Sequence, residues 1–388
     1  MATLQQTQSI LGELIGFPTV SSDSNLALIE YAADLLRDAG AHLSISRDAS
    51  GGKANLFATI GPLSDGGIVL SGHTDVVPVD DQQWTNDPFE MAAREGRLYG
   101  RGTCDMKGFI AACLAIAPEF AESELRRPLH LAFTYDEEVG CFGARALMEE
   151  LAKAEFKPSV AIIGEPTEMR VIEGHKGCYE YTTEFTGREG HGSQPDIGVN
   201  AIEYAARYIG KLLEVGDRLK QRAPAGSRFD PPWTTIQVGR IAGGAARNVI
   251  AGHCEVEWEM RPVQASDADL VKSDIGAYVD HVLRPAMKAI SPHADIVTHT
   301  IGEVEGLQVV SQSEAREIAH ELTGQNGADV VAFGTEAGLF QAAGISTVIC
   351  GPGSIAQAHK PDEFIELSQL QACLDMLDRL KAKISRRG

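Results

Sequence analysis

The chain has 388 residues and a formal net charge of −20, with 44% apolar and 23% charged residues, a balance that excludes disordered and fibrous classes. That length exceeds what one hydrophobic core usually organises, so two domains are expected, and the negative charge disfavours nucleic acid and anionic membranes as partners. Apolar stretches such as Ala111 to Ala117 are far too short to span a membrane, and the seven cysteines form no Cys-x-x-Cys pair, which argues against a disulfide framework or a thiolate metal site.

The first basic side chain is Arg37, so the opening segment has the character of neither a secretory signal nor an Arg-rich transit peptide, and the cytoplasm is the expected location. Helices are expected over Ser24 to Asp38 and Met106 to Glu119. Strands are expected at Gly67 to Gly72, Leu129 to Tyr135 and Val160 to Gly164. This alternation predicts an α/β domain with a mixed, mostly parallel sheet flanked by helices. After Gly177 the pattern changes to strand Tyr179 to Phe185, helix Asn200 to Leu219, strands Thr234 to Ile241 and Glu255 to Met260, helix Ala268 to Lys288, and strand Ala294 to His299. That β-α-β-β-α-β order predicts an inserted ferredoxin-like α+β domain over 177–302, with 1–176 and 303–388 forming the first domain. The α/β rhythm then resumes with helix Glu314 to Leu322, strands Asp329 to Phe333 and Thr347 to Cys350, and helix Leu367 to Ile384.

Five segments carry chemistry-bearing side chains, and most of them follow a strand directly. Leu70-Ser-Gly-His-Thr-Asp75 ends a strand with His73 and Asp75 on one side of an extended chain. A Gly-rich turn, Tyr99-Gly-Arg-Gly-Thr-Cys-Asp-Met-Lys-Gly108, delivers Asp105 just ahead of a helix, where a plain N-cap is the alternative. Asp136-Glu137-Glu138 follows the strand Leu129 to Tyr135, Glu165 ends the next one in Gly164-Glu-Pro-Thr167, and His359 lies in the run from Gly351 to Pro361. Singly, each has a structural explanation. Together they gather histidines and carboxylates beyond strand carboxyl ends, where open α/β sheets bind ligands. Such donors suit zinc or cobalt better than the all-oxygen sites of calcium and magnesium.

In that order, S-G-H-T-D, G-R-G-T-C-D-M-K-G, D-E-E, G-E-P-T and A-H-K resemble the co-catalytic zinc hydrolases of the aminoacylase and carboxypeptidase G type, and the resemblance covers essentially the whole chain. It implies two Zn2+ per subunit, with Co2+ able to substitute. Asp105 would bridge them, His73 and Glu165 completing one site and Glu138 and His359 the other, with Glu137 as general base and Asp75 fixing the His73 tautomer. Adjacent extended residues face opposite ways, which would let Glu137 and Glu138 divide the roles of base and ligand. Two cations about 3.5–4 Å apart would activate a shared water and polarise an amide carbonyl. A non-proline cis peptide after Asp105 is also implied.

In the inserted domain, His191 resembles a histidine that reaches a partner subunit's site to stabilise the oxyanion, implying a homodimer built through this lid domain. Arg261 and Asn248 resemble residues that hold a substrate carboxylate, an ion pair or a turn being the alternatives. Phe333-Gly-Thr-Glu-Ala-Gly338 resembles the branch of the family acting on Nα-acetylornithine more than the desuccinylase branch, where T-S-D-G stands at this place. Glu336 would then meet the ornithine ammonium, or else act as a helix-start acid. The expected partner is a small N-acyl amino acid; succinyl-diaminopimelate, a broader N-acyl range, and a metal-binding module without catalysis are the alternatives. His175 and His253 receive no role.

Overall fold

The computed structural model describes residues 3–385. These divide into two units: one comprises the chain up to Gly174 with Leu307–Val330 and Thr335 onward, the other His175–Gly306 with Val331–Gly334. The short return of Val331–Gly334 to the second unit is absent from the boundaries expected from sequence.

In the first unit the strands before the insertion are β1 (His42–Arg47), β2 (Ala54–Ile60), β3 (Gly67–His73), a small ribbon β4 (Ala92–Arg94) and β5 (Arg97–Tyr99), then β6 (Leu129–Thr134), β7 (Pro158–Pro166) and β8 (Ile172–His175). Helices α1 (Leu4–Ile15), α2 (Leu26–Asp38), α3 (Lys107–Ala121) and α4 (Phe142–Lys153) intervene. β3 and β6 are buried along their whole lengths, as strands covered on both faces must be. β3 pairs in parallel with β6 and β7. At the edge, β1 pairs antiparallel with β2, and β2 with β6, making the sheet mixed. Sequence periodicity misses β1, whose His42-Leu-Ser-Ile-Ser-Arg47 is largely polar and mostly exposed.

The second unit holds β9 (Cys178–Thr186), β10 (Gly190–His191), β11 (Thr235–Gly243), β12 (Val249–Ile250), β13 (His253–Arg261) and β14 (Asp295–Val304), with helices α5 (Ala201–Lys220), α6 (Ala265–Tyr278) and α7 (Arg284–Ile290). Its four-stranded sheet runs β11-β13-β9-β14, the strand order of a ferredoxin-like fold, and β10 and β12 form a separate ribbon. β9 and β13 alternate buried with half-buried residues, so one face packs on the helices through Tyr181, Phe185, Val256 and Trp258. The single helix expected from Ala268 to Lys288 is instead interrupted by a π turn at Val279–Leu283. Pro285 explains the break: it lacks an N–H and its ring crowds the preceding turn.

Back in the first unit come α8 (Glu314–Thr323), β15 (Asp329–Val331), α9 (Ala337–Ala342), β16 (Ser346–Gly351), β17 (Phe364–Glu366) and α10 (Leu367–Ile384). β16 joins β7 in parallel, completing an eight-stranded sheet ordered β1-β2-β6-β3-β7-β16-β8-β15. The parallel centre β6-β3-β7-β16 matters most. Its carboxyl ends bring His73, the Asp136–Glu138 turn, Glu165 and the His359 segment to one edge.

Candidate active site and metal centre

Two overlapping groups of possible metal ligands meet there, His73/Asp105/Glu165 and Asp105/Glu138/His359, sharing Asp105. His73 Nε2 lies 3.1 Å from Asp105 Oδ1 and 3.9 Å from Glu165 Oε1. On the other side His359 Nε2 lies 3.4 Å from Asp105 Oδ2 and 3.1 Å from Glu138 Oε2. The peptide between Asp105 and Met106 is cis, as the resemblance implied.

The donor set fits divalent cations. Glu165 Oε1 is buried and has no hydrogen-bond partner among the described residues, an arrangement that a cation would satisfy. Burial and then Asp105 push Glu165 well above the ordinary carboxylate range, and burial with Glu138, Asp75 and Asp105 does the same to Glu137. Hydrogen bonds to Asp105 and Glu138 raise His359 to about 10. For His73, burial opposes the charged form, but Asp105, Asp75 and Glu165 outweigh it. Negative charge thus exceeds its local compensation, and nitrogen with carboxylate oxygen is the chemistry zinc or cobalt takes.

Asp75 acts through different atoms than expected. His73 Nδ1 lies 2.9 Å from the Asp75 main-chain oxygen and 3.6 Å from carboxylate Oδ1. The carboxylate instead accepts from Ser21 Oγ at 2.7 Å and from the main-chain amides of Glu137 and Glu138 at 3.0 and 3.3 Å. Nor are Glu137 and Glu138 extended neighbours. Asp136, two residues past the end of β6, adopts φ 55°, and the Gly140 and Cys141 amides both return to the Glu137 carbonyl. A turn caught by Asp75, and not strand alternation, presents the two acids.

Glu363 is the site residue that sequence reasoning missed. It is 1% exposed, and its oxygens accept from the amides of Gly102, Cys104 and Asp105 and from Arg101 Nη1 at 2.8–3.0 Å. It therefore fixes the loop that delivers Asp105. The available signal was a lone Asp-Glu following the His359 run.

Glu336 corrects an expectation. It is 1% exposed, and its two carboxylate oxygens accept from Ser71 Oγ at 2.5 Å and Thr134 Oγ1 at 2.8 Å. Hydroxyls on β3 and β6 occupy it, so it is no open receptor for a substrate ammonium. It stands at the N-cap of α9 without a side-chain capping bond, so the helix-start placement named as the alternative is the one present.

In the second unit, antiparallel pairing of β10 with β12 sets His191 opposite Val249, next to Asn248, whose carbonyl accepts from the Gly192 amide. His191 Nδ1 lies 2.7 Å from Ser193 Oγ, and both His191 and Asn248 are exposed. Arg261 donates through Nε and Nη2 to Glu259, two residues back on the same strand, so the ion-pair alternative is the arrangement present.

Two groups that could hold cations, sharing Asp105 and lying beside an acid of raised pKa, have the arrangement of a metal-dependent hydrolase. The model of peptidase family M20/M25/M40 matches residues 69–383, and the chain belongs to that family and is a hydrolytic enzyme. Curated acetylornithine deacetylases agree with it closely: the protein of Photorhabdus laumondii is 37% identical over 92% of this chain and 91% of its own length. That of Proteus mirabilis is 37% identical over 95% and 94%. Among solved structures, a family M20 metallo-carboxypeptidase from Sulfolobus solfataricus superposes with a TM-score of 0.75 at 18% identity, covering 97% of this chain and 98% of its own. A Staphylococcus aureus tripeptidase gives 0.74 at 18% identity over the whole of both chains. At such identities these likenesses speak for the fold.

Proposed function

We propose that this enzyme hydrolyses Nα-acetylornithine to ornithine and acetate, using two zinc ions held by His73, Asp105, Glu165, Glu138 and His359. The observation that carries the chemistry is the pair of triads sharing Asp105 with Glu137 beside them. For the substrate, the support is identity of 37% to acetylornithine deacetylases over more than nine-tenths of the chain. When bound, the ions supply Lewis-acid polarisation of the scissile carbonyl and lower the pKa of the attacking water.

The chain's own residues supply the remainder. Glu137 takes the proton from the attacking water and returns it to the departing amine nitrogen, one carboxylate serving as base and then acid. Asp75, through the two amides it holds, keeps Glu137 and Glu138 in their places. Asp75 also offers its carbonyl to His73 Nδ1, leaving Nε2 free to act as ligand. From the second unit, His191 of one subunit would stabilise the oxyanion in its dimer partner, while Asn248 and Arg261 would take the substrate carboxylate, Arg261 exchanging Glu259 for it. Cytoplasmic placement in a homodimer completes this reading. Among the described residues, no helix is long and apolar enough to cross a membrane.

The test is protein stripped with chelator, reloaded with zinc or cobalt, and assayed on Nα-acetylornithine, succinyl-diaminopimelate and acetylmethionine. Metal-dependent preference for acetylornithine is expected. Preference for another acyl compound moves the substrate and keeps the mechanism, whereas metal-independent turnover overturns the mechanism.

A further inference from the structure

His359 occupies an insecure place for a metal ligand. It lies in the irregular run between β16 and β17, after the short 3-10 turn Ile355–Gln357, with no strand ladder holding its peptide. Its φ is 62°, a left-handed conformation that a residue with a Cβ keeps only where the surroundings enforce it, and its side chain is 53% exposed. Something outside the loop must hold it.

That hold comes from a neighbouring loop and from Arg101. Gln82 Nε2 donates to the His359 carbonyl at 3.0 Å, and Arg101 Nη1 reaches the next carbonyl, Lys360, at 3.3 Å. Gln82 Oε1 in turn accepts from Arg101 Nη2 at 2.7 Å and from Trp84 Nε1 at 3.1 Å. Arg101 is buried, stacks on the Trp84 ring at 5.0 Å, and is anchored by Glu363 at 2.8 Å. One step further, Asp362 accepts from the Thr85 amide and hydroxyl. Gln82 thus spends its donor on the histidine's own peptide and its acceptor on two fixed partners.

We propose that Gln82 and Arg101 are positioning residues that grip the main chain at His359 and Lys360 and so aim His359 Nε2 into the second cation site. Neither side chain is a ligand. The inference rests on reading Asp105, Glu138 and His359 as that site, and it adds which residues make the site bind. Arg101 is too deeply buried for a clean test, whereas Gln82 is half-buried, and Gln82→Met matches its length while removing both donor and acceptor.

The experiment is calorimetric titration of zinc into chelator-stripped wild-type, Gln82→Met, His359→Ala and the double variant, with thermal melting of each metal-free protein as the control for folding. Wild-type should bind two ions. Gln82→Met should keep one at unchanged affinity and bind the other about 10–100-fold more weakly, the usual effect of removing a partner behind a ligand. In the His359→Ala background the same change should leave the remaining ion untouched, because its route of action is gone. Unchanged affinity for both ions in Gln82→Met overturns the proposal, as does an equal loss in the His359→Ala background. Should Gln82→Met melt far below wild-type, Gln82→Glu keeps the acceptor for Arg101 and Trp84, loses the donor to His359, and carries the same expectation. A folded wild-type chain that binds fewer than two ions overturns the two-site reading itself, and the clamp with it.

Discussion

His73 and His359 offer the same imidazole nitrogen from two unlike supports. His73 closes β3, buried along its length and paired on both sides, and is 1% exposed. His359 rides a loop in a left-handed conformation with its side chain half in solvent. A strand end aims a ligand through its ladder hydrogen bonds and core packing, and here a main-chain carbonyl two residues on, that of Asp75, completes the hold on the His73 ring. A loop ligand needs side chains from elsewhere. The contrast teaches that one half of the centre is built by the sheet and the other by contacts between loops, joined at Asp105.

The harshest way to break the contrast is Asp105→Ala. Removing the shared carboxylate should abolish binding on both sides, so metal analysis of the purified variant should find neither ion and turnover should fall to background. Two retained ions would deny the bridging role. Next in size is Glu137→Gln, expected to lower kcat about 10²–10⁴-fold while calorimetry still finds both ions, since a general base is lost and no ligand is touched. Equal loss of metal would make Glu137 a ligand. Glu363→Gln puts an amide donor among backbone amides that need acceptors, and should weaken binding by about 10–100-fold. Because Glu363 steadies the shared Asp105, both ions should suffer, in contrast to the one-sided effect expected at Gln82. Selective loss of one ion would place Glu363 with the loop half alone.

The mildest effect is pH dependence of the metal-free protein. His359 is raised in the folded chain to about 10 by Asp105 and Glu138, above its ordinary 6.5. The folded state therefore holds this proton more tightly than the unfolded one, giving stability that is fully present below pH 6.5 and lost as pH rises toward 10. Half-exposure screens the pair, so roughly 1 kcal/mol or less is at stake. Melting temperatures of stripped wild-type and His359→Ala should differ near pH 6 and converge near pH 10. A constant gap would mean that the histidine contributes packing and no charge.

How far the sequence reached can be judged from particular residues. The His73, Glu138 and Glu165 segments were legible because each follows a buried strand, and a run of apolar residues ending in an acid or imidazole stands out against hydropathy. Glu363 was not legible, since an Asp-Glu in a loop has no periodicity to mark it and its meaning is the amides of a segment some 260 residues away. Glu336 was misread because its Thr-Glu-Ala-Gly setting carries no sign of the hydroxyls on β3 and β6 that occupy it. Arg261 showed its charge in the sequence but not which acid would take it.

By itself, the sequence determined the alternation of strands and helices, the inserted β-α-β-β-α-β segment and the identities of the clustered donors, because periodicity and residue chemistry are local properties. Tertiary structure alone decided which atoms meet: the Asp75 carbonyl toward His73, its carboxylate beneath the Glu137–Glu138 turn, Glu363 under Asp105, and Gln82 on the peptide of His359. Each of these joins segments far apart in the chain through one directional hydrogen bond. Such a bond exists only after the sheet has brought the segments together.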